Sequence, residues 1–341
     1  MSFIGPKLLS NIDSRLREAF PSHRTSPFGG RSIILVGDLG QLPPVKDIPM
    51  YVGASCGNTL WRSFDTFITL STVFRQQGNA PSQIQFRQLL LNLRNATPTI
   101  ADWTLLMSRT SSSLSQTENH IFDQSTHLFS TNKSVALHNK QMLKQLNVPI
   151  ALCSAEVRKQ TLLLAPEDEQ LDMVVLLAVG QQVMLTTNLW VEAGLVNGAL
   201  GQVVSIVYNT ATTPPMLPLF VVVDFVNYKG PPWDAYNPTY IPILPLTRGS
   251  RRQLPLRMAW GLTIHKSQGM TLQKATIDIG NIDRQGLTFT AVSRVRQLTD
   301  LRIMPSFSFA RYSRMKDSPS VQRRKQEEAF ISTRSIAPDV A

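Results

Sequence analysis

The spacing of apolar residues predicts mixed helix and strand over the first 150 residues. Residues 2–20 carry apolar side chains at helical spacing among charged ones, which predicts an amphipathic helix. The continuous apolar run 32–36 is typical of a buried parallel strand. The same criteria predict helices at 83–108 (broken at Pro98) and 133–146, and strands at 67–70 and 126–131.

The pattern changes near Pro149 and changes again near residue 250. Alternation, β-branched residues and Gly/Pro turns predict a small β-barrel whose strands lie at 174–179, 182–187, 201–208, 220–225 and 240–246. Beyond it we expect a buried strand at 256–264, another at 275–279, a helix at 286–296 and a last strand at 301–304. The whole pattern indicates an α/β protein with an inserted β-rich domain.

The strand at 256–264 runs directly into the polar sequence His265-Lys266-Ser267-Gln268-Gly269. Open α/β sheets bind ligands at the carboxyl ends of their strands, so this turn is a candidate binding site. Lys266 supplies a positive charge for phosphate, while His265, Ser267, Gln268 and Thr271 supply directional hydrogen bonds. The alternative is an ordinary solvated strand-to-helix loop.

Polar residues follow other predicted strands as well. The turn 37–45, rich in Gly and Pro, presents Asp38 and Gln41, and Arg75 lies just beyond the strand 67–70. Arg294 lies on the predicted helix 286–296. Each of these residues has an ordinary alternative explanation. Asp38 and Gln41 would belong to a plain turn, Arg75 would be an exposed surface arginine, and Arg294 would lie on a solvated helix face.

Charge narrows the class of partner. Lys and Arg number 34 against 23 Asp and Glu, a net charge of +11. Residues 248–341 hold 17 of these Lys/Arg and 7 of the Asp/Glu, so nearly the whole excess lies there. This balance favours a polyanion as partner. Beyond Pro305 the basic, Ser-rich sequence indicates a flexible tail over 311–341.

Other classes of site find little support in the sequence. Cys56 and Cys153 are the only cysteines, and the five histidines show no metal-ligand spacing, so we expect neither a disulfide framework nor a metal site. A reducing compartment is the default. No apolar run approaches the roughly 20 residues that cross a bilayer, so we expect no membrane partner.

Four motifs in order carry a resemblance to a known family. They are Gly37-Asp-Leu-Gly-Gln-Leu-Pro-Pro-Val45 (with Phe28-Gly-Gly before it), Phe74-Arg-Gln76, Thr263-Ile-His-Lys-Ser-Gln-Gly-Met-Thr271 and Ala291-Val-Ser-Arg-Val-Arg296. Together they resemble helicase motifs III to VI of superfamily 1B. More narrowly, they are similar to the petite-integration-frequency DNA helicases, which include Helitron-like versions carried by mobile elements. The match covers about residues 1–310.

The resemblance implies a P-loop NTPase fold with RecA-like lobes. Residues 1–69 would be the carboxyl part of the first lobe, 70–150 and 256–310 the second lobe, and 151–255 an inserted SH3-like barrel. Family members use ATP and Mg²⁺ to move 5′ to 3′ on single-stranded DNA. A monomer in the nucleus is implied, with the mitochondrion as the alternative, acting in replication, repair, recombination or telomere maintenance.

The resemblance also assigns roles to single residues. Gln41 would sense the γ-phosphate with support from Asp38, and Arg75 and Arg294 would be arginine fingers that stabilise charge on the transferred phosphoryl group. Gly269 would lie beside the nucleotide. The residues expected to hold the DNA backbone are Thr263, His265, Lys266, Ser267, Gln268 and Thr271.

Departures from the family put activity in doubt. The chain contains no Gly-Lys dipeptide, although the family's phosphate loop requires Gly-Lys-Ser/Thr. The family's Asp-Glu carboxylates would immediately precede Met1, and Asp168-Glu169 follows no apolar strand. Milder departures are Phe289, Val292 and Gly261. We therefore expect an amino-terminally truncated helicase whose chain alone cannot hydrolyse ATP, or else a catalytically dead remnant that binds single-stranded DNA.

Overall fold

The computed structural model describes residues 4–157, 171–280 and 284–336. Among them the α-helices are α1 (Pro6–Ala19), α2 (Cys56–Arg62), α3 (Pro81–Asn95), α4 (Ile100–Met107), α5 (Gln116–Ile121), α6 (Asn132–Gln145), α7 (Leu287–Val292), α8 (Phe309–Ser313) and α9 (Pro319–Ser332). The first strands are β1 (Phe67–Ile68), β2 (Thr126–Phe129), β3 (Ala151–Ser154), β4 (Glu156–Val157), β5 (Val174–Leu177), β6 (Gln182–Leu185), β7 (Leu200–Val207) and β8 (Phe220–Asp224). The others are β9 (Tyr240–Ile243), β10 (Leu246–Arg248), β11 (Arg251–Gln253), β12 (Leu256–Met258), β13 (Gly261–Thr263), β14 (Ala275–Asp278), β15 (Leu301–Ile303) and β16 (Ser335–Ile336).

The chain forms two compact units. The first comprises Met1–Asp123 with Thr271–Ala341, and the second comprises Gln124–Met270. The finer division into lobes and an SH3-like barrel stays a prediction. In the part of the chain described here, no helix is both long and apolar enough to cross a membrane.

Local sequence explains where the helices of the first unit begin and end. The helix α1 starts at a proline, whose missing N–H costs nothing in the first turn. The helix α4 begins with a capping box between Thr99 and Asp102, and α5 with one between Ser115 and Glu118. Between α3 and α4, Ala96 takes a left-handed conformation and Pro98 follows, so the predicted long helix is broken as expected.

The core of the first unit joins residues from both ends of the chain. Leu9, Phe28 and Trp61 are buried in one cluster, and Ile331 of α9 packs against it. The strands β1 and β16 pair in parallel, with Phe67 opposite Ser335. The strands β14 and β15 form a second parallel pair.

The expectation of a flexible tail over 311–341 is wrong for the part that the structure describes. Ser318 caps α9 through its side chain, and Pro319 occupies the first turn. Glu327 of α9 is buried and accepts hydrogen bonds from Trp61 Nε1 at 2.7 Å and from both terminal nitrogens of Arg62. The sequence of this segment is basic, but the carboxylate of Glu327 binds Trp61 and Arg62. Composition does not reveal this tertiary pairing.

The strand predicted at 32–36 is also wrong, because the structure assigns no strand there. Ile33 and Leu35 pack against the Trp61 cluster, whereas Ile34 and Val36 are 87% and 75% exposed. The backbone therefore alternates as a strand does, but only one face is covered. A parallel strand needs hydrogen-bonded neighbours and cover on both faces, and the described residues pair no strand with this segment.

The second unit is built on an antiparallel sheet in the order β12-β6-β7-β8-β9. Its inward residues, among them Val183, Val203, Val221 and Ile243, form a buried cluster with β3 and β5. A two-strand antiparallel pair β3-β5 and a three-strand sheet β10-β11-β4 lie in the same unit. The β-structure predicted for this region is confirmed, while its closure into an SH3-like barrel stays a prediction.

The motif-bearing stretch at 256–264 forms two short strands instead of one. The strand β12 pairs antiparallel with β6, and β13 pairs parallel with β2. Ala259 and Trp260, between them, are buried. The chain thus leaves the antiparallel sheet and enters a parallel pair. The last residue of β13, Thr263, is also the first residue of the polar turn 263–269.

Candidate functional site

Two predicted arginines meet on one residue in the first unit. Arg75 Nη1 donates a hydrogen bond to the Ser293 carbonyl at 2.8 Å, and Arg294 Nη2 donates one to the Ser293 hydroxyl at 2.7 Å. Arg294 Nε also donates to the Thr290 carbonyl at 2.7 Å. Both guanidinium groups are therefore fixed in direction, although they are 219 positions apart in the sequence.

A glutamine that was not predicted as a site residue holds this arrangement together. Gln76 is buried, and its Nε2 donates to the carbonyls of Ser293 at 3.3 Å and Val295 at 2.8 Å. The segment containing Arg75 is thereby fastened along the end of α7. Gln76 completes the Phe-Arg-Gln motif, which is a signal in the sequence, but its role depends on the fold.

Asp38 is the acidic member of the site. Its carboxylate accepts from the Gly40 N–H at 2.9 Å and from Gln41 Nε2 at 3.4 Å, which folds the turn 38–41. Arg94 at the end of α3 donates to the same carboxylate at 2.8 Å. Sequence reasoning missed Arg94, because nothing distinguishes it from an ordinary arginine near a helix end.

A glycine brings this turn against the helix that carries the second arginine. Gly286 precedes α7 with φ at 73°, and a Cβ there would lie 2.4 Å from both the carbonyl carbon and the oxygen of Gln41. Only glycine allows this approach of two backbones. Asp38 and Gln41 are consequently held close to α7 and the two arginines.

The electrostatics of the site favour an anion. Arg294 is 2% exposed, and burial together with the positive charge of Arg75 lowers its pKa to about 10, while Asp38 opposes the shift. Burial also lowers the pKa of Arg75. Both groups stay protonated at neutral pH. Two preorganised cations near one carboxylate suit the charge of a phosphoryl group.

The polar turn 263–269 is a separate site in the second unit. Thr263 and Ser267 are buried, and the Ser267 hydroxyl donates to the Ile264 carbonyl at 2.9 Å. The Lys266 N–H lies 3.3 Å from the Thr263 hydroxyl. Both hydroxyl groups take part in hydrogen bonds within the turn, and their proposed contact with DNA stays a prediction.

The surface of this turn carries the other predicted residues. Lys266 is exposed at its outer side, and His265 and Gln268 are half-buried. Partial burial and the nearby Arg257 lower the pKa of Lys266, while Asp172 opposes them. Gly269 has φ at 87° with no atom within 4 Å of a built Cβ, so the turn is open on that side.

Thr271, predicted to contact DNA, belongs to the first unit, where its hydroxyl accepts a hydrogen bond from Arg75 Nε at 2.9 Å. Its observed partner is thus one of the two arginines that meet on Ser293. The residue follows the polar turn directly in the sequence.

The cofactors of the resemblance fit only in part. Arg75, Arg294 and Gln41 suit the phosphate end of a nucleotide. Within residues 4–157, 171–280 and 284–336, no group of three or more His, Cys, Asp or Glu could hold a metal ion. Asp168 and Glu169 lie outside the described residues. The described side chains therefore do not account for Mg²⁺.

This chain is similar to known DNA helicases over most of its length. Residues 2–102 match the family described as PIF1-like helicase, and residues 173–206 match the 2B domain of the DNA helicase Pif1. The ATP-dependent DNA helicase PIF1 of Danio rerio is 32% identical over 287 residues, and that of Homo sapiens is 31% identical over 288. Each alignment covers 82% of this chain and 42% of the relative, so the chain spans about two fifths of their length.

Solved structures agree on the fold. The Pif1 helicase of Candida albicans matches with a TM-score of 0.71 at 24% identity, covering 96% of this chain and 74% of the other. Bacteroides Pif1 bound to single-stranded DNA matches with a TM-score of 0.66 at 23% identity, covering 97% and 74%. The fold is the α/β, RecA-like helicase core. With the motifs, the matched segments and the relatives in agreement, the chain is similar to PIF1-like helicases over 82% of its length.

Proposed function

We propose that this chain supplies the arginine side of an ATP-dependent 5′-to-3′ DNA helicase and couples it to single-stranded DNA. One observation carries the proposal: Arg75 and Arg294 converge on Ser293 within electrostatic reach of Asp38. Such convergence of distant residues has no evident structural need, because buried like charges are costly. It is what phosphoryl transfer requires of arginine fingers.

In this proposal the two arginines stabilise charge that develops on the γ-phosphoryl group. Their hydrogen bonds to Ser293, Thr290 and Thr271 hold the guanidinium planes in place before the nucleotide arrives. Gln41 reports the presence of that phosphate to the turn at 38–41. ATP and Mg²⁺ would supply the phosphoryl group and its charge-neutralising metal; the described residues provide the arginines.

Single-stranded DNA is the proposed partner of the turn 263–269. Lys266 offers the positive charge for a backbone phosphate, and His265 and Gln268 flank it at the surface. A solved relative from Bacteroides is bound to single-stranded DNA, which supports this assignment. Because Thr271 follows the turn and bonds Arg75, displacement of the DNA would be transmitted to the arginine cluster through residues 269–271.

These 341 residues alone are proposed not to hydrolyse ATP. The sequence contains no Gly-Lys dipeptide, and without a phosphate-binding loop nucleotide affinity is low. The second candidate function follows from the same observation: a protein that grips single-stranded DNA and has no ATPase activity. Its signature is salt-dependent DNA binding with no hydrolysis under any condition.

The test uses one preparation for two measurements. Fluorescence anisotropy with a labelled oligothymidine measures DNA binding, and phosphate release measures ATP hydrolysis in its presence. We expect binding without hydrolysis. The helicase assignment is then tested with a fusion in which the amino-terminal portion of the Danio rerio relative, up to the aligned segment, precedes residue 1.

That fusion should hydrolyse ATP when DNA is present, and Arg294→Ala should reduce the rate by about 10³-fold or more. Arg296→Ala, two positions away and exposed, is the matched control. An active fusion whose rate is the same with and without Arg294 would contradict the proposed role. A fusion that folds and binds DNA but stays inactive would favour the DNA-binding protein without ATPase activity.

We also propose that the protein acts as a monomer on nuclear DNA in replication, repair, recombination or telomere maintenance, with the mitochondrion as the alternative location. The similarity to PIF1-like helicases supports this proposal. Sedimentation of the purified chain tests the first part, with a dimer as the contrary result. Imaging of the tagged full-length gene product tests the location.

A further inference from the structure

A basic cavity lies in the first unit, apart from the cluster around Arg294. It opens beside α9 and holds about 410 Å³ of empty space, counting its mouth. Its walls come from the end of α3, the residues that lead into α7, the segment after α8, and α9. Asp38, Gln41, Arg75 and Arg294 do not line it. It is therefore separate from the cluster around Arg75 and Arg294 that is described above.

The cavity is lined by an excess of positive charge. Four cationic side chains contribute to its wall: Arg94, Arg284, Lys316 and Arg324. None of the described lining residues is Asp or Glu. Two carboxylates lie behind the wall, since Arg94 pairs with both Asp38 and Glu328 at 2.8 Å. Four cations against two anions leave the cavity with a net positive charge.

Arg324, in the wall of the cavity, has two side-chain N–H groups without an acceptor in the part of the chain that the structure describes. Its side chain is 1% exposed, and its Nη1 donates to the Arg94 carbonyl. Its Nε and Nη2 have no hydrogen-bond acceptor among the described residues, and the nearest carboxylate oxygen, on Glu328, is 3.7 Å from Nε. A buried guanidinium with two unmet donors is costly, and burial lowers the pKa of Arg324 accordingly.

The two unmet donors are the ones that bind oxyanions best. Nε–H and one terminal N–H point in the same direction along one edge of a guanidinium and match two oxygens of a phosphate. The other three cations of the wall can neutralise the remaining charge. Neutral ligands would meet the hydrogen-bond requirement of Arg324 but would leave the excess charge uncompensated.

We propose that this cavity binds a phosphate oxyanion through the Nε/Nη2 edge of Arg324, with Lys316 and Arg284 at its mouth. The phosphate comes either from a free phosphate ion or from the terminal phosphate of a DNA strand; both present the same tetrahedral group. Its binding would tie α9 to α3 and α7, and so stabilise the first unit at the position where Arg94 holds Asp38.

The test measures binding of inorganic phosphate to the full 341-residue chain by calorimetry, at constant ionic strength set with chloride. Lys316→Ala is expected to weaken binding about tenfold, and Arg324→Gln by more, because each removes a charged contact. Arg323→Ala is the matched control: it removes the same charge from an exposed position on α9 that does not line the cavity. It should leave the affinity within about twofold.

Three results would overturn the proposal: no phosphate binding, equal weakening by Arg323→Ala and Lys316→Ala, or unchanged affinity in Lys316→Ala and Arg284→Ala. The last pair keeps the test valid if Arg324→Gln fails to fold. Competition by a short oligothymidine with a 5′-phosphate, but not by the same strand with a 5′-hydroxyl, identifies the DNA end as the source. Competition by neither strand identifies the free ion.

Discussion

The arginine cluster and the polar turn are polar regions built in two different ways. The cluster collects Asp38, Arg75 and Arg294 from distant segments and buries Arg294 almost completely. The turn 263–269 is one continuous segment closed by its own hydrogen bonds, with Lys266 exposed. The first depends on tertiary packing, and the second depends mainly on local sequence.

This difference sets the vulnerability of each site. A site assembled from distant segments is lost when any supporting contact fails, even one far from the arginines. A local turn tolerates change around it, but each of its exposed side chains acts nearly alone. Substitutions that disturb the assembled region should therefore reduce stability more than substitutions in the turn. Four variants compare the two regions.

Gly286→Ala should have the largest effect. A Cβ at this position would lie 2.4 Å from the backbone of Gln41, and φ is 73°, so both contact and conformation are unfavourable. We expect the free energy of unfolding to fall by about 3–5 kcal/mol, the range of severe backbone and packing defects. Urea denaturation followed by circular dichroism measures it. A loss below about 1 kcal/mol would show that the turn 38–41 is not held against α7.

Glu327→Ala tests whether the assembled region depends on α9. The substitution leaves the buried Trp61 Nε1 and the Arg62 guanidinium without their shared carboxylate. We expect a loss of about 2–3 kcal/mol, because the buried Trp61 N–H loses its acceptor and the half-exposed Arg62 loses its ion pair. Gln326→Ala, exposed on the same helix, is the control and should change stability little. Equal effects of the two would mean that α9 contributes through helix formation alone.

Lys266→Ala tests the independence of the turn. Binding of single-stranded DNA should weaken about tenfold, and the slope of log K against log salt should decrease by about 0.7, as for one lost phosphate contact. Lys140→Ala removes an exposed charge from α6 in the same unit and serves as the control. Stability should be unchanged. A salt slope that does not respond to the loss of Lys266 would remove this lysine from the DNA contact.

Gly269→Ala should have the smallest effect, and it is the direct partner of the Gly286 experiment. Its φ is 87°, which alanine tolerates poorly, but a built Cβ meets nothing within 4 Å. Only the conformational cost remains, and we expect about 1 kcal/mol. Thermal unfolding of the two variants side by side gives the ratio of their stability losses. A loss as large as that of Gly286→Ala would mean that the turn is packed, contrary to the comparison.

The elements that the sequence predicted best are those with strong local signals. The break between α3 and α4 follows from Pro98, and helix α6 lies within one residue of the predicted bounds. The strand at 32–36 was wrong because apolar continuity does not show whether strands lie beside it. The tail was wrong because Glu327 finds Trp61 and Arg62 only through the fold.

The site shows the same division. Arg75 and Arg294 could be named from short motifs, but their convergence on Ser293 could not, since it depends on Gln76 and on the approach at Gly286. Arg94 and Arg324 carry no motif at all. Ser267 and Thr263 were assigned to DNA by motif, yet the structure buries them. A motif identifies residue types at a site without saying which side chains face the ligand.

The pairing of β1 with β16 has a consequence for synthesis on the ribosome. Phe67 and Ser335 are neighbours in the sheet but are separated by most of the chain, and Ile331 completes the cluster around Leu9 and Trp61. The nascent segment that carries Leu9 and Trp61 therefore keeps apolar surface uncovered until residues 331–336 have been synthesised. A premature stop codon just before residue 318 would remove α9 and β16 and leave this cluster, made long before them, partly uncovered.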